Sequence, residues 1–290
     1  MVLYKYFSKE MSSFFDDRMV RFTPANDFND LFEGRGQYEW IVSPQDAVPE
    51  TEANLDNFFD QALLDVHKVL PKGLKSEITE EQARDLLLSL GHAERIREGL
   101  RDQVLSVVDT GTPIAKDVLY EGFCKYLGIF CLSGNPSSDT MWGYYTNNEG
   151  FAVGLDASHQ FFNKDRDAEN FLGKLHEVTY LKDLARHQSI ATMKAEDMFL
   201  TKKMDWSHEA EWRMLDGLQY CDRTVPGEKP IHLFEVPADA IREVIFGYQC
   251  SQSLREAMIS QIRANADLQH VRLFTVELDL RSSSINLVEM

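Results

Sequence analysis

Residues Lys202 to Leu215, KKMDWSHEAEWRML, form the densest run of polar, aromatic and charged side chains in the chain. Glu209 and Glu211 stand one residue apart and are followed at once by Trp212 and Arg213. On a β-strand, side chains two apart share a face, so both carboxylates would point the same way. Like charges that close repel and raise each other's pKa. Such a pair can do chemistry at a sugar: one carboxylate stabilises positive charge developing at an anomeric carbon, and the other steers or deprotonates a nucleophile. The same spacing also suits a solvated face of an edge strand, its acids paired with Lys202, Lys203 or Arg213. His208, beside the pair, reads as a surface residue.

Two further stretches carry reactive residue types. NDFNDLFE, Asn26 to Glu33, lies close to Arg21. Its acids Asp27, Asp30 and Glu33 are oxygen ligands of the kind a divalent metal takes, although the spacing is not that of an EF-hand loop. Asx turns that fix a loop, or a substrate-contacting loop anchored by Phe28 and Phe32, explain the same residues. In SGNPSSDTMWGYYTNNEGFAVGLD, Met141, Trp142 and Tyr145 fall on one helix face, and packing in the core accounts for Trp142. Ser133 ends an apolar strand where its hydroxyl can face a cleft, and Tyr144 or Tyr145 can stack on a planar ring such as nicotinamide. The chain lacks GxSxG, a P-loop, GxGxxG after a strand, and HExxH. Those absences count against serine hydrolases, P-loop NTPases, Rossmann dehydrogenases and zincins.

The elements that must position these residues read as follows. VLYKY (2–6) predicts a strand, SKEMSSFFDDR a helix led by Ser8, MVRFT (19–23) a second strand, and QYEWIV (37–42) a third. From 43 to 120 the pattern is helical. NLDNFFDQALLDVHKVL has helical spacing, ITEEQARDLLLSL opens on a Thr79–Gln82 capping box, and Gly91 marks a stop. HAERIREGLRDQVLSVV and PIAKDVLYEGFCKY continue the helical pattern. Strand signals return at LGIFCLSG (127–134), FAVGLD, HEVTY (176–180), EWRML, HLFEV (232–236), REVIFG (242–247) and VRLFTVEL (271–278). Helices are expected at TMWGYYTNN, over 190–206, and from Ser251 to Asn265. Strands separated by turns rather than by crossover helices predict an α+β fold with a mixed or antiparallel sheet. The expected division is a core of residues 1–42 and 121–290 with a helical insert over 43–120.

With 290 residues, 43% of them hydrophobic, and 18 Phe, 10 Tyr and 4 Trp, the chain can bury a large core. A formal net charge of −17 argues against broad binding of a phosphate backbone. Cys124, Cys131, Cys221 and Cys250 show no metal-binding spacing and read as free thiols, Cys131 packing as a small hydrophobe. No signal peptide and no run of 18 apolar residues is visible, which predicts a cytoplasmic protein with no membrane association. No metal is expected.

The motifs, taken in order, resemble an uncharacterised family of bacterial and phage-associated proteins described as a domain of unknown function. The residues that carry the resemblance are Leu3-Tyr4-Lys5-Tyr6, Phe28-Asn29-Asp30-Leu31-Phe32, Met141-Trp142-Gly143-Tyr144-Tyr145, Trp206 to Arg213, and Val244-Ile245-Phe246-Gly247. More remotely the chain is similar to Arg-Ser-Glu type ADP-ribosyltransferases, through Phe130-Cys131-Leu132-Ser133, the MWGYY helix, the FAVGL strand and Glu209-Ala210-Glu211. In place of the first-strand arginine of those enzymes stand Tyr4, Lys5 and Tyr6, and Arg21 on the next strand is the nearest substitute. Ser133 is followed by Gly rather than Thr-Ser, and the gap to the Glu-x-Glu is long. The resemblance implies an ADP-ribosyltransferase-like fold and NAD as substrate. ADP-ribose would pass to a macromolecule or to water, in a toxin or defence effector. Glu211 would stabilise the oxocarbenium and Glu209 would aid the nucleophile. Tyr4, Lys5, Tyr6, Arg21, Asn29, Asp30, Ser133, Trp142, Tyr145 and Arg213 would form the binding cleft. Two alternatives stand beside it: a non-catalytic sensor or adaptor binding a nucleotide or protein partner, and a metal-dependent nuclease built on Asp27, Asp30, Glu33 and the Glu209 pair.

Overall fold

The computed structural model describes all residues except 31, 33, 45, 48–53, 55–78, 80, 83, 84, 86–91 and 170. The helices expected over 54–70 and 78–90, the stop at Gly91, and Leu31 and Glu33 therefore lie wholly or largely outside the described residues. The chain divides into two compact units. One comprises Met1–Gly36, Tyr120–Leu184 and Ala195–Met290, and the other Gln37–Leu119 and Ala185–Lys194.

In chain order the first elements are β1 (Val2–Phe7), α1 (Phe14–Asp17), β2 (Met19–Arg21), β3 (Tyr38–Trp40) and α2 (His92–Tyr126). Next come β4 (Leu127–Ser133), α3 (Asp139–Thr146), β5 (Phe151–Asp156), β6 (Leu175–Glu177), β7 (Thr179–Leu181) and β8 (His187–Ser189). They are followed by α4 (Ala195–Phe199), β9 (Thr201–Lys203), β10 (Glu211–Gly217), β11 (Arg223–Val225) and β12 (Ile231–Glu235). The chain closes with β13 (Ile241–Phe246), α5 (Gln252–Ala264), β14 (Arg272–Asp279) and β15 (Ser284–Glu289). The fold is α+β. Eight strands in the order β15-β14-β13-β5-β1-β4-β10-β6 form one mixed sheet, antiparallel except between β13 and β14.

Alternation along these strands separates two apolar layers. Leu3, Phe7, Phe130, Leu132, Phe151, Val153, Met214, Val244 and Phe246 line one face, together with Met258 and Ile262 of α5 and the rings of Phe14, Phe22 and Phe234. Tyr4, Tyr6, Ala152, Ile245 and Val276 line the other, under Met141 and Trp142 of α3. Trp142 meets Tyr6 edge to face at 5.1 Å, and its indole N–H donates to the Pro136 carbonyl at 2.8 Å. Ser251 caps α5 by accepting from the Leu254 N–H at 3.3 Å. Because α5 closes the larger layer, Ser251→Ala should lower stability by about 1 kcal/mol in urea unfolding without changing the m-value.

In the second unit β3 and β8 pair in parallel, and Lys116 of α2 donates to the Tyr38 carbonyl. The two helical patterns expected on either side of Pro113 form the single helix α2, which continues through that proline. Thr79 and Gln82 make the expected reciprocal capping bonds, at 3.0 and 3.1 Å.

Several expectations need correction. The Ser8-led helix is broken into a 3-10 turn, Lys9–Met11, and the one-turn α1. Phe14 and Phe15 both enter the core there, and Arg18 closes α1 in the left-handed region at φ 55°. HEVTY is two strands, because the chain changes partners at Val178. That residue's N–H donates to the Glu211 carbonyl, and the Thr179 N–H to that of Leu200. The helix expected over 190–206 is α4 followed by β9, which pairs in parallel with β7. Nor is β10 an edge strand, since it lies between β4 and β6.

Among the described residues no helix is long and apolar enough to cross a membrane.

Candidate functional site

β1 and β4 are neighbours in the sheet, yet their only registered pair is Tyr4 with Ser133. Beyond it the strands separate, and β4 instead bridges Thr23 at Ile129. The Cys131 carbonyl, left without a strand partner on that side, accepts from the Lys5 ammonium at 3.1 Å. A cleft of about 300 Å³ opens at this parting. Its walls include Tyr4, Lys5, Tyr6, Thr23, Phe28, Asn29, Ile129, Cys131, Ser133, Met141, Tyr145, Lys202, Glu209 and Glu211.

The glutamates meet there by a route other than strand alternation. Glu211 is the first residue of β10, whereas Glu209 ends a 3-10 segment, Met204–Glu209. Ala210 between them takes a left-handed conformation at φ 43°. Neither carboxylate lies on a solvated face: Glu209 is 3% exposed and Glu211 5%. The expectation of an exposed acidic strand is thus overturned, although two of its proposed partners, Lys202 and Arg213, are in place. Lys202 Nζ lies 2.6 Å from Glu209 Oε2 and 3.3 Å from Glu211 Oε2. Arg213, fully buried, reaches Glu211 Oε1 through Nε at 2.9 Å and Oε2 through Nη2 at 2.8 Å. Its Nη1 donates to the Phe199 carbonyl at 2.6 Å. Tyr145 donates its phenol proton to Glu209 Oε1 at 2.5 Å.

These contacts reverse the expected effect of pairing two acids. Burial pushes the Glu211 carboxyl up, but the Arg213 charge and its hydrogen bonds, with Lys202 behind them, hold it well below the usual carboxylate range. Burial works against the charge on Lys202, but the two carboxylates outweigh it and push the ammonium up to about 12. Burial, then the charge of Glu209, raises the Tyr145 phenol, so it remains a donor. Lys5 differs: burial lowers its pKa and no carboxylate stands within ion-pair distance among the described residues. Burial and the nearby Glu211 raise the Cys131 thiol.

Other expected site residues are placed differently. Trp142 is buried in the second apolar layer behind the cleft, and Arg213 sits beneath Glu211 rather than in the cleft wall. Ser133 is in the wall but 1% exposed, and its hydroxyl is committed, donating to the Glu209 carbonyl at 2.7 Å. Asn29 lines the cleft and Asp30 does not. The Asp30 carboxylate accepts from the Phe32 N–H at 2.9 Å, an Asx turn. Arg21 pairs with Asp27, which Lys229 also reaches at 2.9 Å. No group of three His, Cys, Asp or Glu among the described residues has the geometry to hold a metal ion. Sequence reasoning placed Lys202 only as a surface partner and gave Cys131, Thr23 and Ile129 no part in a site. Lys202 is the link between the two carboxylates, and no local sequence signal marks it.

The matched family segment coincides with much of this cluster. Residues 141–214 are similar to a family described as a protein of unknown function (DUF2971). That span runs from α3 into β10 and contains Met141, Tyr145, Lys202, Glu209, Glu211 and Arg213. No curated protein and no solved structure matches the chain.

Proposed function

We propose that this cleft binds NAD and breaks the bond between nicotinamide and ribose, passing ADP-ribose to a macromolecular acceptor or to water, in the manner of an ADP-ribosyltransferase-like protein of toxin or defence systems. The carrying observation is the presence, in one cleft wall, of two buried carboxylates together with Lys5, a half-buried cation in no ion pair among the described residues. In the reaction the C1′–N bond breaks and its electron pair returns to the nicotinamide ring. Positive charge appears at C1′ and the ring oxygen of the ribose. A carboxylate that stays ionised at neutral pH stabilises that charge. The acceptor then adds at C1′ and gives up its proton. Tyr145 and the nearby aromatic residues Tyr4, Tyr6 and Phe28 offer surfaces for the departing ring, and Lys5 offers a charge for the diphosphate.

The test is release of nicotinamide from NAD by the purified chain, with binding followed by calorimetry. Turnover is expected. Absence of both turnover and NAD binding, with and without a cell extract as source of acceptor, would sink the reading. One observation favours a second reading. Lys202 and Arg213 balance the two glutamates charge for charge, as in a structural network, which suits a non-catalytic nucleotide- or protein-binding module. Binding of NAD without release under every condition would select it.

A further inference from the structure

We infer that Glu209, not Glu211, is the carboxylate that meets the substrate, and that Glu211 is a positioning residue. The inference rests on the proposed cleavage of NAD and reverses the order of roles that the transferase resemblance implies. An ionised carboxylate offers about four lone-pair sites. Glu211 receives two bonds from Arg213 and one from Lys202. Three of these sites are taken by cationic groups of the protein, with Arg213 on both oxygens, so Glu211 keeps a single site inside a buried network. Glu209 receives one bond on each oxygen, from Tyr145 and from Lys202. One lone pair on each oxygen remains, on a side chain that forms part of the cleft wall.

The backbone supports the same assignment. A non-glycine residue in the left-handed region costs about 1–2 kcal/mol. Ala210 takes that conformation, and it carries Glu209 off the β10 alternation. The distortion is clamped on both sides, by the Ser133 hydroxyl on the Glu209 carbonyl at 2.7 Å and by the Gly134 N–H on the Ala210 carbonyl at 2.8 Å. Backbone strain held this firmly is typical of a group that must be aimed. Glu211 then acts through others: it fixes Lys202, and Lys202 with Tyr145 fixes the Glu209 carboxylate. With its free lone pairs Glu209 can accept from a ribose hydroxyl and face the positive charge at C1′ as nicotinamide leaves.

The experiment compares Glu209→Gln with the wild type in melting temperature, NAD binding and single-turnover nicotinamide release. It then adds formate to Glu209→Ala and Glu211→Ala. We expect Glu209→Gln to stay folded with a lowered melting temperature, since it removes the charge facing buried Lys202, and to keep NAD affinity while its release rate falls about 10²–10³-fold. Formate, a free carboxylate small enough for the vacated space, should restore release in Glu209→Ala. Glu211→Ala should lose melting temperature and release together, with no recovery in formate. Wild-type release by Glu209→Gln, or formate rescue at Glu211→Ala and not at Glu209→Ala, would overturn the assignment while leaving NAD cleavage intact. A wild type that neither binds nor cleaves NAD would instead remove the reading on which the assignment rests.

Discussion

Arg213→Met should cost the fold about 3–5 kcal/mol, the range found when one partner of a buried ion pair is removed. Arg213 is fully buried, and three of its nitrogens are engaged, two with Glu211 and one with the Phe199 carbonyl. Methionine fills much of the volume but leaves the Glu211 carboxylate in a dry site with fewer donors, and it strips the Phe199 carbonyl of a partner. Urea unfolding of the two single variants and of Glu211→Gln/Arg213→Met measures the coupling. The double variant should cost less than the sum of the singles, because neither charge is then left alone. Strict additivity would mean that the pair does not act as a unit. The pH dependence supplies a second check. In the wild type the Glu211 carboxyl is depressed, chiefly by Arg213 acting against burial. Its contribution is complete above the unfolded value of about 4.3 and is lost as pH falls through the lower folded value. Without Arg213 burial prevails and the carboxyl rises. The deficit of Arg213→Met should therefore be widest above about pH 4.3 and narrow in acid. A deficit that widens in acid would contradict this origin.

What the amino-acid sequence made legible was local. β1, β4, β5, β13 and β14 are runs of apolar or alternating residues, and each forms near its expected limits. The Ser251 cap and the Thr79–Gln82 box rest on contacts three residues apart and were equally plain. What failed depended on partners remote in sequence. Nothing within HEVTY announces that Val178 is where the chain leaves β10 for β9. β9 itself is hidden in a stretch whose Glu, Met and Lys all favour a helix. Lysine is rarely buried, so Lys202 reads as surface until the two carboxylates that neutralise it are seen around it.

The candidate site shows the same limit more sharply. Alternation brought Glu209 and Glu211 to one side on the premise of a continuous strand, whereas their meeting depends on the turn at Ala210 and on the shared lysine. Tyr145 and Glu209 are 64 positions apart, and Lys5 and Cys131 are 126 apart. No spacing rule connects them. The parting of β1 from β4 is a property of the sheet as a whole, and the cleft with it.

That parting explains why Lys5 should trade stability for binding. Its ammonium fills the opening where β1 leaves β4, over the Phe130 ring at 5.1 Å, and it donates to the neutral Cys131 carbonyl. A half-buried charge held in no ion pair is unfavourable, and desolvation is the largest influence on its pKa, outweighing the opposing charge of Glu211. Lys5→Met, which keeps the stem and removes the charge, should therefore raise the melting temperature of the free protein. The same variant should bind NAD about 10–100-fold more weakly, since a hydrogen bond to a charged group is worth roughly 1.5–3 kcal/mol. The loss should extend to ADP-ribose, which keeps the diphosphate, and spare nicotinamide riboside, which lacks it. Calorimetry with the three ligands separates the cases. Equal losses for all three would mean that the substitution deforms the cleft, and unchanged ADP-ribose binding would mean that Lys5 meets no anion. If stability rises while diphosphate binding falls, the Lys5 charge is retained for the ligand and not for the fold.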